Sequence, residues 1–293
     1  MHRFLSTAAL LTLSTLAAAG DTVAVRIGIP RSAFRDVPPA LLTFANQPFK
    51  DLIKAQTGID GDVVNDAEAM NIAREMEAGK MQIGVFLGHE FAWARQKYPA
   101  LEPIAIAVPK PREVQAFILV RHDSKATTLS DLKTAKLVLA SGTRDHARLF
   151  LEKRQSDEMA GGTFCSMCKT VTVHDAIHKV IDGEADVTVA DQASWNYFQR
   201  LYPGPAQNLK VLSKSEVFPA SVIAYRKGSM TDAIVKKFRE GLLTAHQTKK
   251  GANLMGTIKI EKFAAMPMGY EESLAEILKA YPAPRTDRAA VEK

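Results

Sequence analysis

The sequence predicts an α/β fold of two lobes, each with a mostly parallel sheet covered by helices, joined by two crossing strands. Apolar, β-branched runs alternate with segments of helical periodicity along most of the chain, which is the pattern of βαβ units. The chain has 293 residues, enough for two such lobes with separate cores. Apolar residues make up 46% and charged residues 24%, which is typical of a globular protein.

The first part of the chain alternates strands and helices. Residues 23–29 alternate and are rich in β-branched side chains, so they predict the first strand. Ala67–Ala78 has apolar residues at helical spacing, and Gly79 after it is suited to the end of a helix. The other elements predicted in this part are strands at residues 60–64, 81–86 and 101–108, a helix-like segment that opens at residues 38–39 and runs through 49–54, and a helix at residues 91–97.

The same alternation repeats further on. Ala116–Val120 is an apolar run, and Leu137–Ala140 is another that ends in Ser-Gly-Thr before a helix-like segment. The later predicted elements are helices at residues 145–154, 174–181, 195–201, 231–247 and 271–278, strands at 170–173, 185–190 and 209–212, and a loop at 203–205.

Two extended segments are predicted to cross between the lobes. Gln115–Val120 leads out of the first lobe, and Ser221–Arg226 leads back into it. The predicted parts are a first lobe at residues 21–113 and 222–284, a second lobe at 114–221, and a loose tail at 285–293.

The N-terminus has the pattern of a secretory signal peptide. Arg3 precedes an apolar stretch at residues 4–18, and the small residues at 17–20 resemble a cleavage site. A membrane anchor is the weaker interpretation, because this stretch is shorter than the roughly 20 residues that span a bilayer. We expect residues 1–20 to be removed and the remaining protein to be soluble and exported, to the periplasm or otherwise.

Charge and cysteine content narrow the function classes. The net charge is +6, but Lys and Arg are scattered among acidic residues, so we expect no nucleic-acid partner. Cys165 and Cys168 are the only cysteines, and in an exported protein we expect a structural disulfide or idle thiols. Lys169 stands where c-type haem attachment needs His, and a zinc site would need two more ligands. We expect no cofactor and no metal.

The turn at residues 141–143 is a candidate anion site. Ser141, Gly142 and Thr143 end a predicted strand and precede a helix, where hydroxyls, backbone N–H groups and the helix dipole favour negative charge. An ordinary helix N-cap is an equally good interpretation. Arg144 would add a bidentate contact to an acidic ligand, although pairing with Asp145 is as good an interpretation.

Four further residues are candidate ligand contacts. His146 and His174 fall at predicted helix starts that face one cleft, although a histidine there is often only a cap. Asp191 ends a strand and would accept a hydrogen bond from a ligand amine or P–OH group, or cap the next helix. His89 would face them from the first lobe. Its neighbour Glu90 would repel an anion, unless it is protonated, turned outward, or matched by a cationic part of the ligand.

The order of the motifs resembles the phosphate/phosphite/phosphonate-binding family among the periplasmic substrate-binding proteins of ABC importers. The resemblance extends from Arg26 to Tyr281. Its motifs are GKMQIGVF at residues 79–86, VRHDS at 120–124, LSDLK at 129–133, HDAI at 174–177, DGEADV at 182–187 and FPASVI at 218–223.

The resemblance implies a two-lobed, monomeric binding protein that closes by a hinge around a small oxyanion and delivers it to a membrane permease. Two departures from the family pattern indicate an altered, oxyanionic or zwitterionic ligand. The family's Ser/Thr-rich loop is replaced by Ser141–His146, and Leu87–Glu90 stands where the family has Gly-Pro followed by Tyr.

Two alternatives to transport stay open. A two-lobed sensor or adaptor would keep the fold and pass the ligand state to another exported protein. An enzyme would use Cys165 and Cys168 for thiol redox chemistry, or His89, His146 and His174 for metal-assisted hydrolysis. No Ser-His-Asp elbow, Walker-type phosphate loop or two-histidine helical zinc motif supports catalysis, so we expect a protein that is not an enzyme.

Overall fold

The computed structural model describes residues 25–35, 47, 49–55, 57–159, 164, 166–170 and 172–284. The predicted signal peptide, the predicted tail and Cys165, with any disulfide to Cys168, lie outside these residues.

Eleven strands and nine helices are used below. The strands are β1 (Val25–Pro30), β2 (Gly61–Ala67), β3 (Ile83–Phe86), β4 (Leu101–Pro109), β5 (Ala116–Arg121), β6 (Lys136–Ala140), β7 (Ser166–Thr170), β8 (Val187–Asp191), β9 (Leu209–Lys214), β10 (Ser221–Arg226) and β11 (Ile260–Ala264). The helices are α1 (Ala69–Glu77), α2 (Gly88–Lys97), α3 (Asp145–Glu158), α4 (Val173–Ile181), α5 (Gln192–Leu201), α6 (Pro203–Ala206), α7 (Asp232–Thr244), α8 (Lys249–Thr257) and α9 (Tyr270–Ala280). Short 3-10 helices lie at Arg31–Phe34, Leu129–Leu132 and Ala245–Gln247.

The strands form two separate sheets, one in each lobe. The first has six strands in the order β11-β4-β10-β3-β1-β2, and the second has five in the order β7-β6-β8-β5-β9. Both are mixed rather than mostly parallel. In each, the strand that enters from the other lobe runs antiparallel to both neighbours: β10 against β3 and β4, and β5 against β8 and β9.

The chain passes between the sheets at residues 110–115 and 215–220. The two segments predicted to cross, residues 115–120 and 221–226, supply β5 and β10, and each of these strands pairs inside a single sheet. An isolated antiparallel bridge joins the passages, with the Phe218 backbone N–H donating to the Val114 carbonyl oxygen at 2.8 Å. The Gln115 side chain donates to the Ser215 carbonyl oxygen at 2.9 Å, which ties them a second time.

Each sheet has an apolar core on both faces. In the first lobe, α1, α2 and α9 bury residues such as Ile72, Phe91 and Leu274 against one face, while α7 and α8 bury Phe238 and Met255 against the other. In the second lobe, α3 covers one face and α4 and α5 cover the other. Burial of these side chains supplies the main drive to fold each lobe.

Two local predictions differ from the structure, and two elements had no prediction. The strand expected at residues 170–173 ends at Thr170. The Thr172 hydroxyl accepts a hydrogen bond from the Asp175 N–H at 3.1 Å, so this stretch instead caps α4. The loop expected at residues 203–205 is the short helix α6, since proline fits a first helical turn. Neither α8 nor β11 was predicted. Among the described residues, no helix is long and apolar enough to cross a bilayer.

Candidate functional site

The carboxyl ends of strands from both lobes face one another across a cleft. In the first lobe, the 3-10 helix after β1 and the start of α2 lie on this side; in the second lobe, the start of α3 does. Arg35 of the first lobe forms an ion pair with Asp145, in the first turn of α3. This pair joins the lobes across the cleft. Ligands of open α/β sheets bind at such strand ends.

His89 lies in the first turn of α2 and is buried, with 2% of its surface exposed, outside the lining of the groove described below. Its ring centroid lies 5.7 Å from that of Phe218, and the His146 centroid lies 5.4 Å from the same ring. Burial, followed by repulsion from His146, lowers the pKa of His89 to about 3. A Cβ on Gly88 would lie 2.1 Å from the Pro219 carbonyl oxygen, so only glycine allows α2 to start this close to the returning passage.

Glu90 is also buried, so the interpretation in which it turns outward is wrong. Its Oε2 accepts a hydrogen bond from the Leu87 N–H at 3.0 Å and so caps α2. Burial raises the pKa of Glu90 to about 7, opposed by Ser32 and by the Leu87 N–H and reinforced by the negative charge of Asp145. A carboxyl group with this pKa is partly protonated near neutral pH and can then donate a hydrogen bond.

Arg148, in the first turn of α3, stabilises the loop at residues 141–143 through its guanidinium group. The Arg148 Nε donates to the Thr143 carbonyl oxygen at 2.9 Å, and Nη2 donates to the carbonyl oxygens of Ala140 and Ser141 at 2.8 and 3.0 Å. Sequence reasoning missed this residue. The available signal was its position, because a cation in the first turns of a helix is unfavourable to the helix dipole and so indicates another role. Ser141 is exposed, whereas Thr143 is completely buried.

A groove beside the outgoing passage brings residues of both lobes together. It holds about 330 Å³ of empty space, part of it open to solvent. Of the predicted site residues, Arg144, His146 and Asp191 line it. The other charged residues in its lining are Lys110, Glu113 and Lys259. Cations and carboxylates therefore both face the groove.

Asp191 has one of its two predicted roles, that of a helix cap. Its Oδ1 accepts from the Ser194 N–H at 3.1 Å and its Oδ2 accepts from the Ser194 hydroxyl at 2.7 Å, so it caps α5 while lining the groove. His174 lies in the first turn of α4, outside the groove lining, with its ring stacked on Tyr197 at 5.2 Å. Burial lowers the pKa of His174, which also responds to the charges of Asp191 and Lys259.

Several buried polar atoms of the cleft have no hydrogen-bond partner. The described residues contain seven such side-chain atoms. Besides Ser32 Oγ, which lies beside the Glu90 carboxyl group, three of them lie on the strand-end turns and helix starts of the cleft and groove: Thr143 Oγ1, His146 Nε2 and Gln192 Oε1. Buried polar groups are nearly always paired, so a concentration of unpaired ones marks a place where a partner is missing. Ser32 and Gln192 were not predicted as site residues, because neither stands in a recognisable motif.

The comparisons with known proteins agree with this architecture. A family model described as "ABC transporter, phosphonate, periplasmic substrate-binding protein" matches residues 34–267. The chain belongs to this family. The family model and the solved structures below confirm the predicted family and fold class. No curated protein sequence matches the chain at a significant level. Members of the family are substrate-binding proteins that work with a membrane permease.

Three solved structures illustrate the fold of this phosphonate-type substrate-binding protein. XAC2383 from Xanthomonas citri, bound to chloride ion, has a TM-score of 0.66 at 16% identity, covering 88% of this chain and 97% of its own. PhnD1 from Prochlorococcus marinus, in complex with methylphosphonate, has a TM-score of 0.63 at 13% identity, covering 87% and 97%. A binding protein component of an ABC phosphonate transporter from Pseudomonas aeruginosa has a TM-score of 0.61 at 16% identity, covering 88% and 86%.

Proposed function

We propose that this protein binds a small phosphonate-like oxyanion between its lobes and presents it to an ABC permease. The observation that carries the proposal is the set of three buried, unpartnered polar atoms on Thr143, His146 and Gln192. An unpaired buried polar atom costs about 1–3 kcal/mol. A bound oxyanion would accept a hydrogen bond from the Thr143 hydroxyl, and a donor group on the same solute would satisfy His146 and Gln192.

The ligand class follows from the family and from the charges of the groove. PhnD1 of Prochlorococcus marinus was solved with methylphosphonate, which supports a phosphonate-like ligand here. Arg144, Lys110 and Lys259 supply positive charge for the oxyanion, while Asp191 supplies an acceptor. A zwitterionic phosphonate would use both. The proposed ligand contacts are Ser141, Gly142, Thr143, Arg144, His146, His174, Asp191 and His89.

The two passages form the proposed hinge. Residues 110–115 and 215–220 are the connections between the sheets, and they are tied to each other by the Val114–Phe218 bridge. Rotation about these two segments would open and close the cleft, as in hinge-type domain closure. We further propose that the working form is an exported, soluble monomer that has lost residues 1–20 and is not an enzyme.

Isothermal titration of the chain from Asp21 onward tests the proposal. The panel is phosphate, phosphite, methylphosphonate, aminomethylphosphonate and sulfate, with thermal unfolding as a second readout because a ligand of the native state raises the melting temperature. We expect saturable binding of at least one phosphonate. An absence of binding and of any thermal shift across the panel would overturn the proposed function.

A matched pair of variants connects the binding to the groove. Arg144→Gln removes one positive charge from the groove, whereas Lys125→Gln removes one from an exposed position outside the groove lining. We expect the first to weaken binding about tenfold or more, since it removes a charge-assisted hydrogen bond, and the second to leave it unchanged. Uptake of the same solute by cells with and without the gene then tests delivery to a permease.

A further inference from the structure

We propose that His146 and Gln192 together accept a hydrogen bond from the ligand, so that the groove selects oxyanions that also carry an N–H or O–H group. The inference rests on the proposed function, because it specifies which solutes of that class the groove prefers. It stands on two buried acceptor atoms that line one groove and have no partner among the described residues.

The first acceptor is the Nε2 of His146. The His146 ring is 6% exposed, and its hydrogen bond to the backbone of Gln115 uses a ring N–H. Nε2 has no partner, so the proton resides on Nδ1 and the lone pair on Nε2 is left to accept. An oxyanion oxygen at this point would meet a second lone pair rather than a donor.

His146 stays neutral because of its surroundings. Burial lowers the pKa of His146 to about 4, and the positive charge of Arg144 adds to this, while Asp191 and the Gln115 carbonyl oppose it. A further titratable neighbour is His89, whose pKa is itself lowered to about 3 by burial, and Lys110, Glu113 and Lys259 line the same groove. Near neutral pH the ring therefore carries no charge that would attract an anion, and Nε2 acts as an acceptor.

The second acceptor is the Oε1 of Gln192, the first residue of α5. Its position is tied to that of His146, because the Gln192 backbone N–H donates to the Gln115 carbonyl oxygen at 2.9 Å. One residue of the outgoing passage thus anchors both the His146 ring and the backbone of Gln192. The carboxylate of Asp191 lies next to Gln192 in the chain and lines the same groove, so the local chemistry is that of acceptors.

A ligand without a hydrogen-bond donor would leave His146 Nε2 and Gln192 Oε1 without a partner and shielded from water. A ligand with a donor would satisfy them. The cost of an unmet buried polar group corresponds to about tenfold in affinity or more. Sites built to bind a hydroxyl or amine through buried polar groups reject analogues that lack it for this reason.

Three probes with the same phosphonate head group test the inference. Methylphosphonate has no donor on its substituent, hydroxymethylphosphonate has one O–H, and aminomethylphosphonate has an ammonium group. We expect the last two to bind the chain from Asp21 onward at least about tenfold more tightly than the first in isothermal titration. Equal affinities for all three would overturn the inference and leave the proposed function standing. Binding of none would overturn the proposed function and the inference with it.

Variants assign the preference to the two residues. Gln192→Met keeps the length of the side chain and removes the acceptor, and His146→Phe keeps a ring and removes both nitrogens. Each is expected to reduce the ratio of the methylphosphonate and hydroxymethylphosphonate dissociation constants towards one. Gln207→Met, at an exposed position of the same lobe, is the matched control. A preference that survives in the folded Gln192→Met variant refutes the role of Gln192, and Gln192→Glu, which keeps an acceptor, should retain the preference.

The pH dependence separates this role from that of a charged histidine. With a pKa of about 4, His146 is neutral from about pH 5 upward, so wild type and His146→Phe should show the same pH dependence of methylphosphonate affinity between about pH 5 and pH 8. If the ring bound the oxyanion as a cation, wild type would gain methylphosphonate affinity below about pH 6.5 relative to His146→Phe. That second outcome would overturn the inference.

Discussion

His89 of the first lobe and His146 of the second pack against the same ring, that of Phe218, at centroid distances of 5.7 and 5.4 Å. Phe218 belongs to the returning passage, and its ring also lies 4.9 Å from that of Tyr281. The passage is therefore part of the cleft as well as of the hinge. A change in the angle between the lobes has to repack this ring, which couples the hinge to two candidate ligand contacts.

Replacement of Phe218 should affect both stability and binding. Phe218→Ala removes a ring that is 2% exposed, so we expect a loss of about 3–5 kcal/mol in the free energy of unfolding, together with weaker phosphonate binding. Phe150→Ala is the control, since Phe150 is equally buried but lies in the core of the second lobe. It should cost similar stability and leave the affinity of the folded protein unchanged. Urea unfolding and titration measure the two effects, and equal loss of affinity in both variants would contradict the coupling.

Glu90 should make stability depend on pH in a defined window. Its pKa is raised from 4.5 to about 7, so the folded chain binds the proton more tightly than the unfolded chain. The stability associated with protonated Glu90 is complete below about pH 4.5 and is lost as the pH rises through 7. Glu90→Gln keeps an oxygen for the Leu87 N–H and cannot ionise, so its stability relative to wild type should rise by the order of 1–3 kcal/mol between about pH 5 and pH 8. A constant difference between the two proteins across this range would show that Glu90 is ionised at low cost.

Elements defined by local sequence pattern could be predicted, whereas features that depend on contacts between distant parts of the chain could not. β-branched runs such as Val25–Pro30 form strands through local pattern and burial, so the fold class and most strands followed from the sequence. The helix α8 did not, because Gly251 and Gly256 weaken the helical pattern. A Cβ at Gly251 would lie 1.9 Å from the Ala245 carbonyl oxygen, so its requirement for glycine is set by a close approach at the preceding turn.

The site shows the same limit. Arg144, His146 and Asp191 were predicted from their places at a strand end or next to a helix start, and the structure brings all three to one groove. Their roles as ligand contacts stay predictions. Arg148, Ser32 and Gln192 were missed, because their importance arises from contacts or missing contacts that only the assembled lobes define.

The ion pair between Arg35 and Asp145 should contribute asymmetrically. Asp145 is mostly buried, and burial raises its pKa although Arg35 opposes the shift. Arg35→Ala leaves this carboxylate without its partner, so we expect a loss of about 1–3 kcal/mol in the free energy of unfolding at neutral pH. Asp145→Asn in the same background should recover much of the loss. A double-mutant cycle by urea unfolding measures the coupling, and additive effects would mean that the pair does not hold the lobes together.

Thr143 separates the demands of folding from those of binding. Its hydroxyl is completely buried and has no hydrogen-bond partner among the described residues. It therefore makes no hydrogen bond there that would stabilise the unliganded protein. Thr143→Val preserves the branched shape and removes the hydroxyl, and we expect the free energy of unfolding without ligand to stay the same or rise by up to about 1–3 kcal/mol. If the hydroxyl donates a hydrogen bond to the bound oxyanion, the same variant should bind phosphonate about tenfold more weakly or worse.

Thr188→Val is the matched control. The Thr188 hydroxyl is equally buried but donates to the Val138 carbonyl oxygen at 2.9 Å, so its loss should lower stability and leave the affinity unchanged. Unchanged affinity in Thr143→Val would remove the loop at residues 141–143 from the site.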